Sequence, residues 1–219
     1  MTNSILSKAM KHTTNALLAG LLVVGLASCN ENAKLASEAE GIWSGNATVL
    51  NKKENQKHDK NVEVTSPVVE SVTPSFTFTK VESVKNGGKV IFSGVYAISQ
   101  SVSSTAVDVP FQASANVKAT ATGNWVATDD DEIKVTFDPA TVSTTLDPES
   151  ITFGYAVLTD KPVSELDSLK AALIPNLDKS FGAEVQKRVA SIKELDDIKI
   201  SGTTMNLEIN KTDFTLTKQ

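Results

Sequence analysis

The chain predicts a mainly β domain, either a closed antiparallel barrel of about eight strands or a two-sheet sandwich, with one helical insertion late in the sequence. Three observations carry this. From Gly41 onward, short runs rich in Val, Ile, Thr and Phe alternate apolar with polar residues. Turn-forming residues separate most of these runs at short intervals. Only over about residues 163–195 does the apolar period lengthen from that of a strand to that of a helix. A length of 219 residues suits one domain, at roughly 100–200 residues per domain.

The first candidate strand runs from Ile42 to Leu50, and the following Asn51 to Asn61 is too charged for a core. Phe76 and Phe78 alternate with threonines in Pro74 to Val84, and Asn86-Gly87-Gly88 then turns the chain into Lys89 to Ile98. Asn-Gly between two such runs marks a hairpin, because both residues accept a positive φ. An Ala/Thr/Val run from Ala106 to Ala121 leads through Gly123 into Trp125 to Thr128. Asp129-Asp130-Asp131 reverses the chain into Ile133, Val135 and Phe137, whose spacing of two puts them on one face. Ile151, Phe153, Tyr155 and Val157 form a further alternating strand, ended by Asp160 and Pro162.

Ser164 with Asp167 three residues on marks a helix start, although the usual partner there is Glu or Gln. Leu166, Leu169 and Leu173 follow at helical spacing, and Pro175 breaks or kinks the run. A second helical stretch puts Leu177, Phe181, Val185, Val189, Ile192 and Leu195 on one stripe. Arg188 falls inside that stripe, roughly 20° from Leu177 at 100° per residue. Two readings stay open for it: a stem lying on apolar surface with its guanidinium in water, or a buried pair with a carboxylate. The chain then returns to strands at Met205, Leu207 and Ile209, turns at Asn210-Lys211, and ends on Phe214 and Leu216.

The first 28 residues read as a secretory signal. Lys8 and Lys11 precede the apolar run from Ala16 to Ala27, which is too short to span ~30 Å of hydrocarbon as a helix. Leu26-Ala27-Ser28-Cys29 resembles the bacterial lipobox, which implies a lipid on the Cys29 thiol and cleavage just before it. Cys29 is the only Cys, so an exported chain has no internal disulfide to form from it. Residues 29–40 read as a polar tether and residues 41–219 as the folded domain. Asn30 follows the Cys where an inner-membrane retention signal would place Asp, which leans the expectation to the outer membrane and leaves the leaflet open. Residues 29–219 hold 19 basic against 26 acidic side chains, a balance unsuited to binding nucleic acid or an anionic bilayer by charge.

Gly41-Ile42-Trp43 resembles the Gly-x-Trp element that opens lipocalin and lipocalin-like barrels. Ala121-Thr122-Gly123-Asn124-Trp125, the acidic turn and Ile133-Lys134-Val135-Thr136-Phe137 resemble the central hairpin of small lipocalin-like lipoproteins of Bacteroidetes-type bacteria, and Phe214 to Lys218 resembles their closing strand. The resemblance implies a calycin-type barrel over residues 41–219, with the Trp packed over its closed end. The chain departs from that pattern in two ways. Its only Arg is Arg188, so the Arg that stacks on the opening Trp is missing or replaced by Lys218. Two strands follow the helical region where lipocalins have one. The alternative fold is an Ig-like sandwich.

Catalytic chemistry is sparse. His12 precedes the expected cleavage point, and His58 lies in the charged stretch Lys57-His58-Asp59-Lys60, where a surface role is expected. With Cys29 committed to lipid, no thiolate nucleophile or Cys metal site remains. The chain contains no Gly-x-Ser-x-Gly elbow, phosphate-cradling glycine loop or His-Glu-x-x-His pair. Asp129-Asp130-Asp131-Glu132 lacks the spacing and glycine of a calcium loop and reads as a solvated hairpin tip. Asp167-Ser168-Leu169 fits a short O-glycosylation pattern that occurs by chance at this length. No cofactor, metal or catalytic residue is therefore expected, and the ligand-binding residues remain open. The expected function is a non-catalytic, lipid-anchored binding module for a small apolar or amphipathic ligand or an envelope partner. The alternative is a structural or adhesive subunit of fimbrial type, against which the absence of any Arg before Arg188 counts.

Overall fold

The computed structural model describes residues 31–50, 66–104, 107–154 and 163–219. Helix α1 covers residues 31–39. It leads into β1 (Gly41–Gly45), β2 (Thr48–Val49) and three long strands, β3 (Val68–Lys80), β4 (Gly87–Ser104) and β5 (Val107–Ala127). Then come β6 (Ile133–Phe137), β7 (Ser143–Leu146) and β8 (Thr152–Gly154), helix α2 (Val163–Ser191), and β9 (Glu194–Ser201), β10 (Thr204–Ile209) and β11 (Thr212–Lys218).

Eight strands close on themselves in the order β1-β11-β10-β9-β6-β5-β4-β3, and β1 then pairs with β3, setting Trp43 opposite Phe76. Every neighbour is antiparallel, as short turns allow. The ring is uneven. Strands β3, β4 and β5 have 13, 18 and 21 residues, against 5 to 8 in the other ring strands. The long three therefore run past one rim as an open sheet, which β7 and β8 extend by pairing with β5 between Gln112 and Thr120.

Alternation sorts the side chains. Val90, Phe92, Tyr96 and Ile98 of β4 point inward and are buried, as are Phe76 and Phe78 of β3, Trp125 of β5, Ile133 and Val135 of β6, Met205 and Leu207 of β10, and Leu216 of β11. Their rings form one cluster, with Phe92 at 5.1 Å from Phe76 and 5.9 Å from Phe137, and Phe78 at 5.3 Å from Trp125. Outward positions are mostly polar, among them Lys89, Ser93, Thr120, Thr122, Asn124, Thr215 and Thr217, with isolated apolar residues such as Ile42 and Ile91. An apolar inside and a largely polar outside are the reverse of a membrane-spanning barrel.

Helix α2 lies on the inward side of the extension, over small buried residues of β5 such as Ala113, Ala115 and Ala119, with Leu177, Phe181, Val185 and Val189 buried beneath it. Ser180 Oγ donates to the buried Gln100 of β4 at 3.0 Å.

Several expectations are corrected. The expected tether is helical from residue 31, and its Leu35, Ala36 and Ala39 are buried. One Leu among alanines reads as polar in composition, yet Ala is the best helix former and its small face packs closely. Pro175 does not break α2, which runs unbroken from Val163 to Ser191. Leu195 belongs to β9, where it is buried with Ile198 three residues on. The left-handed Asp197 (φ 50°) puts an extra residue into β9 opposite β10, so its apolar residues fall at helical spacing. Three strands rather than two follow the helix. Gly87 and Gly88 are already paired in β4, and the positive φ of that hairpin falls on Asn86 (56°). Both glycines are needed for close approach, since a Cβ on Gly88 would meet the Thr79 carbonyl. Tyr155 and Val157 lie outside the described residues.

Candidate functional site

The two rims of the ring differ. At one, α1 closes the end: Trp43 is fully buried and its Nε1 donates to the Ala39 carbonyl at 2.7 Å. Lys218, the register partner of Trp43, places its Nζ 5.1 Å from the indole centroid and donates to the Glu38 carbonyl at 3.4 Å. Lys218 thus lies over Trp43 with its cation toward the indole ring. Gly41 makes room for it, because its φ of +127° suits only glycine and a Cβ there would touch the Lys218 stem.

The other rim is a mouth. The end of α2 and the β10–β11 turn overhang a cavity of about 260 Å³, floored by Val72, Phe92, Tyr96 and Phe214 and edged by Arg188, Ile192, Asn210 and Lys211. Local chemistry fixes the edge. Asn210 (φ 49°) and Lys211 (φ 64°) make the tight turn expected of them, with both residues left-handed. Asn210 Nδ2 donates to Ser191 Oγ at 3.1 Å, and Ser191 Oγ donates to the Arg188 carbonyl at 2.7 Å, which pins the turn to the end of the helix.

Arg188 resolves in favour of the water-reaching arrangement. Its side chain is half exposed, and its Nε donates to Glu184 at 3.0 Å, one helical turn back. No carboxylate lines the cavity among the described residues. Tyr96 is 3% exposed, and burial pushes its phenol pKa far up, with the Arg188 charge pulling the other way. The phenol is therefore a neutral hydrogen-bonding group at ordinary pH. This lining can hold a ligand and orient a polar head; it offers no nucleophile paired with a base.

A second cluster forms where β6 meets β9. Carboxylate oxygens of Glu132, Glu194 and Asp196 lie within 4.8 Å of one another. The Thr128 hydroxyl and Lys134, 3.2 Å away, hold the Glu132 carboxyl below its usual range. Burial, then the charges of Glu194, Glu132, Glu208 and Asp197, push Asp196 up. Asp129, Asp130 and Asp131 remain exposed at the hairpin tip, as expected, and take no part in this cluster.

The expected signal (residues 1–28), Cys29 and His58 lie outside the described residues. Ser168 is exposed on α2. Sequence reasoning singled out Arg188 but not Tyr96, Phe92 or Lys211, which read as ordinary strand and turn residues. Their convergence depends on which strand ends share a rim, and no local pattern encodes that. Compared with known proteins, the chain matches no protein-family model, no curated protein and no solved structure.

Proposed function

We propose that the protein is a lipoprotein of the cell envelope, exported by residues 1–28, anchored in the outer membrane through lipid on Cys29, and acting as a non-catalytic binding module. The eight-stranded ring is read as a lipocalin-like barrel of the type found in small Bacteroidetes-type lipoproteins. The observation that carries the binding role is the mouth cavity, an apolar floor with a few convergent polar groups at one end of the ring. Closure of the opposite rim by α1, Trp43 and Lys218 supports the lipocalin-like reading. The first described residue of α1 lies two positions after Cys29, so a lipid there would hold the closed rim near the bilayer and leave the mouth facing away from it.

Anchoring is tested by metabolic labelling with a clickable palmitate, which should tag the wild type and not Cys29→Ala; label retained by the variant overturns it. The binding role is tested by native mass spectrometry of protein purified from its own envelope. A bound species of a few hundred daltons, released on denaturation and lost when Phe92→Trp fills the cavity, is the expected result. A bare mass, together with no thermal shift from any small amphiphile, overturns the binding role.

A further inference from the structure

We infer that the mouth cavity selects a small amphipathic anion, a monocarboxylate of about ten non-hydrogen atoms, whose head sits between Arg188 and Lys211 and whose tail lies on Phe92, Tyr96 and Phe214. This rests on the binding-module reading above and deepens it. The size follows from the volume: at ~30 Å³ for each water-sized group, 260 Å³ holds roughly nine, too few for a long-chain lipid.

The sign of the head follows from the edge. Two cations from separate elements, α2 and the β10–β11 turn, meet at the rim, and no carboxylate among the described residues lines the cavity to neutralise them. Glu184 occupies only the Nε of Arg188, which leaves the remaining guanidinium donors for a carboxylate. Lys211 has no carboxylate partner among the described residues. The whole chain carries a net charge of -5, so its overall field repels anions and these two side chains must act locally. Behind them, Tyr96 borders the same cavity and brings a neutral phenol beside the two cations.

The test is calorimetric titration of the full chain with octanoate and with 1-octanol, which share a tail and differ in charge. Octanoate should bind at least tenfold tighter, and the ratio should fall several-fold on raising salt from 50 to 500 mM. Arg188→Gln with Lys211→Asn should bring the two affinities within twofold of each other, chiefly by weakening octanoate. Asn is chosen because it tolerates the left-handed backbone at position 211. Lys211→Asn alone, on an exposed turn, should lower octanoate affinity at least threefold and serves if the double variant does not fold. Tyr96→Phe should weaken octanoate more than 1-octanol, because the bond to a carboxylate is charge-assisted. Equal affinity for the two probes in the wild type overturns anion selection and leaves the binding module standing. No binding of either probe overturns both.

Discussion

The closed rim and the mouth are built from the same strands, yet they use aromatic side chains differently. At the closed rim Trp43 is capped by α1, hydrogen-bonded to Ala39 and covered by Lys218, so the indole N–H and the Lys218 ammonium both have partners. At the mouth Tyr96 is as deeply buried, but its hydroxyl borders a cavity and the nearby cation, Arg188, stays half in water. The difference teaches that this chain packs one end of the ring tightly and leaves two cations and a phenol bordering a cavity at the other. Binding surfaces are drawn from the second kind of region, because groups already fully paired have nothing left to offer a ligand.

The sharpest way to break the comparison is to truncate one residue at each rim. Trp43→Ala should lower the stability measured by urea denaturation by ~3–5 kcal/mol, the usual cost of emptying a large aromatic site. Arg188→Met should change it by less than ~1 kcal/mol, since a half-exposed i,i+4 ion pair contributes little. Comparable losses from both would mean that the mouth is as structural as the closed rim.

A smaller effect isolates the lysine. Lys218→Met keeps the stem against Trp43 and removes the charge, and should cost ~0.5–1 kcal/mol, while Lys218→Arg should recover most of that. A neutral result in urea for Lys218→Met would reduce its role at the closed rim to packing.

The smallest effect comes from the side wall, where Asp196 faces Glu208 across β9 and β10 beside Glu132 and Glu194. Like charges directly opposite destabilise a sheet, so Asp196→Asn should raise stability at pH 7 by ~0.2–1 kcal/mol. The sign with pH follows from the raised folded-state pKa. The native protein holds this proton more tightly than the unfolded chain, so the wild type loses stability as pH rises from about the ordinary 3.8 through the raised value. The advantage of the Asn variant should therefore vanish below that window. Glu132 runs the other way: its lowered pKa gives stability that is present above the ordinary 4.5 and lost as pH falls. Denaturation midpoints at pH 3.5 and 7 for Asp196→Asn and Glu132→Gln check both signs.

The sequence by itself determined the β-rich class, the hairpins at Asn86 and Asn210-Lys211, the face carrying Ile133, Val135 and Phe137, and the apolar stripe of α2 from Leu177 to Val189. These are local properties: side-chain period, left-handed turn residues and propensity act within a few positions of each other. Wherever a local rule was interrupted, the reading slipped. A bulged residue at Asp197 made β9 imitate a helix, and alanines that bury well hid α1 inside an apparent tether. Only the tertiary structure decided that β1 closes onto β3, and that Lys211 and Arg188, 23 positions apart, share a rim with Tyr96. It likewise set Glu132 beside Glu194 and Asp196. Ring closure and register bring side chains together across distances that no sequence period spans, and both the mouth cavity and the acidic cluster depend on that closure.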